Sequence, residues 1–229
     1  MNVRKTPSPN FDMRKASIDM IVLHYTGMQT GAGALSRLCD PTAKVSAHYL
    51  VEEDGVIHRL VDELERAWHA GVASWRGQTN INDRSIGIEI VNPGHEWGYR
   101  DFPPAQIDSL MALVREIAGR HNIRPSGILG HSDVAPRRKE DPGEKFPWRR
   151  LAEAGLAPPV FDGEPDGSVG FEIAMQALAQ IGYDAPAGDH AASLLAFQRR
   201  YCPQSLGQGF DPLTKAALVF VRDWFSAHN

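Results

Sequence analysis

Residues 85–92, SIGIEIVN, decide the fold expected for the first two thirds of the chain. Three isoleucines alternate along this stretch with a glycine and Glu89, and side chains two residues apart on a strand point to the same face. The pattern predicts a strand that turns its isoleucines toward a core. Glu89 must then face whatever lies on the other side of the sheet.

Apolar runs on either side of this stretch predict the neighbouring elements. Residues 19–26 are typical of a buried strand with His24 near its end, and residues 127–130 form a short strand that leads into His131. Residues 47–61 predict a hairpin, because the Asp-Gly pair at their centre tolerates the positive φ angles of a tight turn. Apolar spacing and proline positions predict further helices over 33–40 and 104–121.

The mixture of strands and helices predicts an α/β (α+β) fold with a central mixed sheet flanked by helices. Proline, glycine and aspartate cluster without periodicity in residues 157–167, which indicates a linker. Helical stripes after it predict three short helices. We therefore expect a first domain over residues 1–156 and a small three-helix C-terminal domain over residues 168–229.

The composition excludes some classes of protein. A net charge of −4 argues against a nucleic-acid-binding protein, which would carry a basic surface. No apolar run approaches the length of a membrane span, so a membrane partner is not expected. The N-terminus lacks the apolar stretch of a secretory signal, and two distant cysteines fit a reducing compartment. These features predict a cytoplasmic protein, with the periplasm as the alternative.

The loop GHSDVAPRRKEDPG, residues 130–143, contains the most concentrated chemistry in the chain. It holds His131, Lys139 and Asp141, and His24 lies at the end of another predicted strand. Two imidazoles and a carboxylate are suitable zinc ligands, and three protein ligands leave one position for water. Spacing alone does not decide for zinc, because nine histidines are present and most histidines are hydrogen-bonded or face solvent.

Several blocks of the sequence resemble the type-2 family of N-acetylmuramoyl-L-alanine amidases, in the family's order. The blocks are VLHYT, SAHYLVEEDGVIHRLV, AWHAGVASWRG, NDRSIGIEIVN and GHSDVAPRRKEDPG. They cover roughly residues 15–155 and are most similar to the AmpD and AmiD branch. In the tail, AMQALAQIGYDAP and DPLTKAAL resemble a peptidoglycan-binding domain of three helices.

This resemblance implies a function and a set of site residues. It implies His24, His131 and Asp141 as ligands of one zinc ion per chain, with Glu89 as the catalytic acid and Lys139 as the catalytic lysine. The implied reaction is hydrolysis of the amide between N-acetylmuramic acid, or its 1,6-anhydro form, and L-alanine. The expected partner is a muropeptide or peptidoglycan fragment, in peptidoglycan recycling.

Four more positions carry open alternatives. Lys44 could meet a peptide carboxylate or only water, and Trp68 could be a sugar-facing ring or part of the core. Asn92 could hydrogen-bond the substrate or cap a turn. Arg137 stands where the family usually has glycine, which leaves the local path of the loop in doubt.

Two other functions compete with recycling. A periplasmic or secreted amidase would act on intact peptidoglycan, and the tail favours that reading. A non-catalytic recognition module typically lacks one zinc ligand, whereas this chain has the full set. The sequence does not decide the oligomeric state.

Overall fold

The computed structural model describes residues 2–184 and 190–228; residues 185–189, within the predicted C-terminal domain, lie outside the described residues. The strands are β1 Val3–Lys5, β2 Phe11–Met13, β3 Met20–Tyr25, β4 Tyr49–Val51, β5 Ile57–Arg59, β6 Glu65–Ala67, β7 Ser74–Trp75, β8 Gln78–Thr79, β9 Ser85–Ile90 and β10 Ile128–Gly130. The helices are α1 Gly31–Cys39, α2 Ile81–Arg84, α3 Gly94–Trp97, α4 Pro104–His121, α5 His131–Val134, α6 Trp148–Glu153, α7 Phe171–Ile181, α8 Ala191–Tyr201 and α9 Pro212–Ala227.

Six of the strands form one central sheet in the order β1-β5-β4-β9-β3-β10. The four strands from β4 to β10 run parallel to one another, and β5 pairs antiparallel to β4 as the predicted hairpin requires. Helices cover both faces, so the predicted fold class is confirmed. Helix α1 begins two residues before its predicted start, because the Thr30 hydroxyl accepts a hydrogen bond from the Gly33 amide and caps the helix there.

The isoleucine face of β9 builds the first half of the core. All three isoleucines are fully buried, as the alternation predicts. They pack against α4 and α6 in one apolar cluster. Helix α4 contributes Ile107, Leu110, Leu113, Val114 and Ile117 to this cluster. Met111, which the apolar spacing of the sequence also places on this stripe, is only partly buried against it.

The opposite face of the sheet packs against the C-terminal helices. Met20, Val22 and Leu129 share one apolar cluster with residues of α7, α8 and α9. The three predicted helices are therefore present, and they complete the core of the sheet instead of standing apart from it. No helix among the described residues has both the length and the apolar character that crossing a membrane requires.

The predicted linker is irregular but packed. Residues 157–167 contain no helix or strand, as expected from their composition. Within them Ala157 and Phe161 are buried, and the Phe161 amide donates to the carbonyl of Tyr201 at 3.0 Å. The segment is fixed to both parts of the chain, and its use as a domain boundary stays a prediction.

A buried ion pair joins α8 to the loop that follows β10. Arg200 and Asp133 are 3% and 1% exposed, and the guanidinium binds the Oδ2 atom of Asp133. The Asp133 carboxylate also accepts hydrogen bonds from the Gly130 amide at 2.8 Å and from the Tyr183 hydroxyl at 2.6 Å. Arg200 donates in addition to the carbonyl of Ile128 at 2.7 Å. The C-terminal helices thus hold the start of the loop 130–143.

We expect Arg200→Met to lower the free energy of unfolding by about 3–5 kcal/mol, because it leaves the buried Asp133 carboxylate without its cation. Urea denaturation at pH 7 measures the loss. The control is Arg149→Met, which removes a solvent-exposed pair with Asp162 and should cost less than about 1 kcal/mol. Equal stabilities of the two variants would contradict the proposed importance of the buried pair.

Candidate active site

The pairing of β3 with β9 brings the first two site residues together. The strands are parallel, and His24 lies directly opposite Glu89. Because side chains alternate along each strand, both residues point away from the isoleucine core. Glu89 therefore faces the site, on the side that its alternation predicts.

The third strand of this group supplies the loop. β10 pairs with β3 in parallel and ends at Gly130, so His131 emerges beside His24 as the first residue of α5. The loop then returns, and the Ser132 amide donates to the carbonyl of Asp141 at 2.9 Å. This closure brings the Asp141 carboxylate back to the two imidazoles.

His24, His131 and Asp141 form a compact cluster. The Nδ1 atoms of the two histidines are 2.9 Å apart, and Asp141 Oδ2 lies 3.1 Å and 3.0 Å from them. All three side chains are buried. Within the described residues, this is the group of histidine, cysteine or acidic side chains that could hold a metal ion. The structure brings together the three residues that the sequence singled out.

The outer contacts of the histidines leave both Nδ1 atoms free to bind a metal. His131 Nε2 lies 3.1 Å from the carbonyl of Ala70, which can only accept, so Nε2 carries the proton. His24 Nε2 lies 3.0 Å from Nδ1 of His69. Contacts of this kind to the second nitrogen orient metal-binding histidines and fix their tautomers.

A short hydrogen-bond chain assigns the His24 tautomer as well. The Ser85 hydroxyl donates to the carbonyl of Ile81 at 2.6 Å, so it accepts from His69 Nε2 at 3.2 Å. Neutral His69 then accepts at Nδ1, and His24 must donate from Nε2. Both cluster histidines therefore present an Nδ1 lone pair beside Asp141, and the residues fit a metal with nitrogen and carboxylate ligands.

His69 is a site residue whose role the sequence analysis missed. A Cβ atom at position 87 would lie 2.3 Å from the His69 ring, so only glycine at that position leaves room for the imidazole. A glycine inside an apolar strand is a signal of such close approach. The position of Gly87 between two core isoleucines could therefore have indicated a side chain crossing β9.

Burial keeps His24 and His69 neutral. It lowers the pKa of His24 to about 4, with the nearby His131 adding to the effect. Burial also lowers the pKa of His69 well below its ordinary value. Burial by itself would raise the pKa of Asp141, but His131 and His24 hold that pKa far below its usual range. Neutral imidazoles beside an ionised carboxylate are the protonation states that bind metal.

Glu89 is half-buried and has an unusual carboxyl group. Its Oε2 atom is shielded from solvent and has no hydrogen-bond partner in residues 2–184 and 190–228. Burial, and secondarily the charge of Asp141, raises the pKa of Glu89 well above its ordinary value, while Lys139 opposes the shift. A carboxyl group with a raised pKa in a cavity is a candidate for proton transfer near neutral pH.

A cavity of about 290 Å³ joins these groups. The three cluster residues, Glu89 and Lys139 all line it. The five residues predicted as ligands or catalytic groups therefore share one space, which no element of the chain could form alone.

The three predicted substrate residues lie elsewhere. Lys44 is exposed and Trp68 half-buried, and neither is on the wall of this cavity. Asn92 is buried, where its amide donates to the carbonyl of Arg100 at 2.8 Å and accepts from the amide of Gly94 at 3.1 Å. The structure thus places Asn92 in a turn after β9, and substrate contacts for all three stay predictions.

Arg137 does not disturb the loop. Its φ angle lies outside the left-handed region, so the backbone needs no glycine there. The side chain is exposed and pairs with Asp184 at 3.3 Å.

Comparison with known proteins now places the chain in a family. Residues 14–144 match the family described as N-acetylmuramoyl-L-alanine amidase. The N-acetylmuramoyl-L-alanine amidase AmiD of Escherichia coli strain K12 is 35% identical, over 87% of this chain and 80% of its own length. The chain belongs to the N-acetylmuramoyl-L-alanine amidase family. The family resemblance and the enzyme class predicted from the sequence are confirmed.

Two further amidases of this family extend the comparison. A solved structure of AmpDH3 from Pseudomonas aeruginosa with anhydromuramic pentapeptide matches with a TM-score of 0.81 at 33% identity, over 91% of this chain and 92% of that one. AmiD of E. coli, solved with anhydro-N-acetylmuramic acid-L-Ala-D-gamma-Glu-L-Lys, has a TM-score of 0.81 at 33% identity, over 93% of both chains. The likeness to AmiD therefore includes most of the three C-terminal helices. AmpD of Haemophilus influenzae is 35% identical over 64% of this chain and 89% of its own length.

The buried neutral histidines predict that acid destabilises the metal-free amidase. In the fold the pKa of His24 is about 4 and that of His48 about 3, and that of His69 is also low, so the unfolded chain binds more protons below about pH 6.5. Glu89 acts in the opposite direction, because burial raises its pKa and the folded state therefore holds its proton more tightly than the unfolded chain does. His24 and His48 alone predict a fall in the free energy of unfolding of about 2 kcal/mol per pH unit between pH 6.5 and 5, to which His69 adds and which Glu89 reduces.

Urea denaturation of chelator-treated protein across this pH range measures that slope. Glu89→Gln removes the opposing titration of the carboxyl group and should make the fall in the free energy of unfolding steeper. A free energy of unfolding that is constant, or that rises as the pH drops, would show that these imidazoles are not buried in the neutral form.

Proposed function

We propose that this chain is a zinc-dependent amidase of peptidoglycan recycling. It hydrolyses the amide between the lactyl group of N-acetylmuramic acid, or its 1,6-anhydro form, and the L-alanine of a soluble muropeptide. The observation that carries the proposal is that His24, His131 and Asp141 line one cavity together with Glu89, whose Oε2 atom has no partner among the described residues. The ligands in the AmiD and AmpDH3 structures support the substrate class.

The donor set favours zinc. Two imidazole nitrogens and one carboxylate oxygen leave the fourth tetrahedral position open, which is typical of catalytic zinc sites. When bound, zinc polarises the scissile carbonyl and lowers the pKa of the attacking water. The contacts of His24 with His69 and of His131 with Ala70 hold the two rings in their binding orientation.

Glu89 moves the proton in this mechanism. Its Oε2 atom has no hydrogen-bond partner in the part of the chain that the structure describes. This oxygen accepts a proton from the attacking water and passes it to the nitrogen of the leaving L-alanine. Lys139 lies on the same wall, and its charge stabilises the oxyanion that develops on the carbonyl. Its charge also favours the ionised form of Glu89, which the base needs at the start of the reaction.

The alternatives are less well supported. A recognition module without catalysis would not need, beside a complete ligand set, a shielded carboxylate oxygen that has no partner among the described residues. Action on intact peptidoglycan draws on the resemblance of the tail to a wall-binding domain. The apolar face of that tail is, however, occupied by the sheet, which supports a structural role.

Replacement of Glu89 by glutamine should keep zinc and lower the rate by about 10²- to 10⁴-fold, the usual contribution of a positioned proton-transfer group. Elemental analysis and the turnover of an anhydro-muropeptide give the two readouts. His131→Ala is the matched variant, and it should lose zinc and activity together because only two ligands remain. Near-normal turnover by Glu89→Gln would remove Glu89 from the mechanism.

The proposed substrate is tested by comparing soluble and polymeric peptidoglycan. We expect the purified enzyme to cleave soluble anhydro-muropeptides at a higher rate than it releases peptides from insoluble sacculi. Cleavage of sacculi alone would assign the enzyme to the intact wall. We also propose a cytoplasmic location, where recycled muropeptides are found. Cell fractionation tests it, and recovery of the native protein mainly from the periplasm would contradict it.

A further inference from the structure

One wall of the active-site cavity comes from α1 and the residues around it. Met28, Ala34, Leu38 and Val45 give this wall an apolar surface. Arg37, in the last turn of α1, is the charged residue on it. The wall therefore offers a cation beside a surface suited to a small aliphatic side chain.

The Arg37 guanidinium is available to bind a ligand. The side chain is exposed, and within residues 2–184 and 190–228 no ion pair or hydrogen bond engages it. The nearest acidic residue in sequence, Asp40, already accepts from the amide and the hydroxyl of Thr42, each at 2.8 Å. Arg37 thus has its full donor capacity free at the edge of the cavity.

The other cation that lines the cavity, Lys139, has a different task. Lys139 lies two residues from the ligand Asp141 and its charge acts on Glu89, so it belongs to the reacting centre. Lys44, the residue that the sequence put forward for a peptide carboxylate, is not on this wall. Among the described lining residues, Arg37 is therefore the cation available for a charged group away from the scissile bond.

The proposed substrate class carries an anion close to the scissile amide. In a stem peptide such as L-Ala-D-γ-Glu-L-Lys, the γ-linkage leaves the α-carboxylate of the second residue free. An extended dipeptide spans about 7 Å, so this carboxylate stays close to the scissile amide. Arginine binds carboxylates through two parallel hydrogen bonds, which adds geometric selection to charge.

We propose that Arg37 forms a carboxylate subsite that binds the free α-carboxylate of the γ-linked glutamate in the stem peptide. This inference rests on the proposed function and adds a substrate preference to it. The enzyme then selects stems with an acidic second residue over stems in which that carboxylate is amidated.

The test uses two anhydro-muropeptides that differ only in the second stem residue, D-glutamate or its α-amide D-isoglutamine. We expect the wild type to favour the acid by about 10- to 100-fold in kcat/KM, the range for a charge-assisted hydrogen bond. Arg37→Gln should lower kcat/KM on the acid substrate by this factor, mainly through a higher KM. On the amide substrate its kcat/KM should change less than about threefold. Arg37→Lys keeps the positive charge but cannot form the two parallel hydrogen bonds of a guanidinium, so it should retain part of the preference for the acid.

Arg115→Gln, an exposed arginine on α4, is the control and should match the wild type on both substrates. Equal activity of the wild type on the two substrates would overturn the proposal. So would an equal loss by Arg37→Gln on both, because the residue would then act on the shape of the cavity. Failure of the wild type to cleave either substrate would instead overturn the proposed function.

Discussion

Parallel pairing between β3 and β9 fixes the geometry on which the rest of the site depends. The register sets His24 opposite Glu89, and a shift of one residue would turn Glu89 into the apolar core and an isoleucine into the site. The three buried isoleucines of β9 make that shift costly, since each would lose its apolar surroundings. Glu89 and His24, the proposed proton-transfer group and metal ligand, are therefore positioned by the hydrophobic core itself.

The loop after β10 needs support from outside the sheet. The two other proposed ligands, His131 and Asp141, lie ten residues apart on a segment with little regular structure. Asp133, two residues after His131, is held by Arg200 and Tyr183, which both come from the C-terminal part of the chain. A buried carboxylate with all these partners leaves the loop few alternative positions. The C-terminal helices, whatever else they bind, are part of the scaffold of the active site.

The sequence predicted the elements whose pattern is local. The alternation in β9, the apolar run of β3 and the proline-bounded helix α4 follow from side-chain periodicity, and the ligand set followed from family resemblance. Periodicity says nothing about partners distant in the chain, such as His24 with His69 or Asp133 with Arg200. Composition likewise identified an irregular segment at 157–167 but could not show that Phe161 finds an apolar site there. Arg37 was overlooked because a single arginine near a helix end has no distinguishing pattern until the cavity beside it is known.

X-ray absorption at the zinc edge tests the central claim most directly, because it reports the atoms around the metal without reference to activity. For the zinc-loaded chain the account predicts four nitrogen or oxygen ligands at about 2.0–2.2 Å, with outer-shell scattering from two imidazoles. In His131→Ala, any residual bound zinc should show one imidazole. A sulfur ligand at about 2.3 Å, which would bring in Cys39 or Cys202, or a third imidazole from His69, would contradict the account.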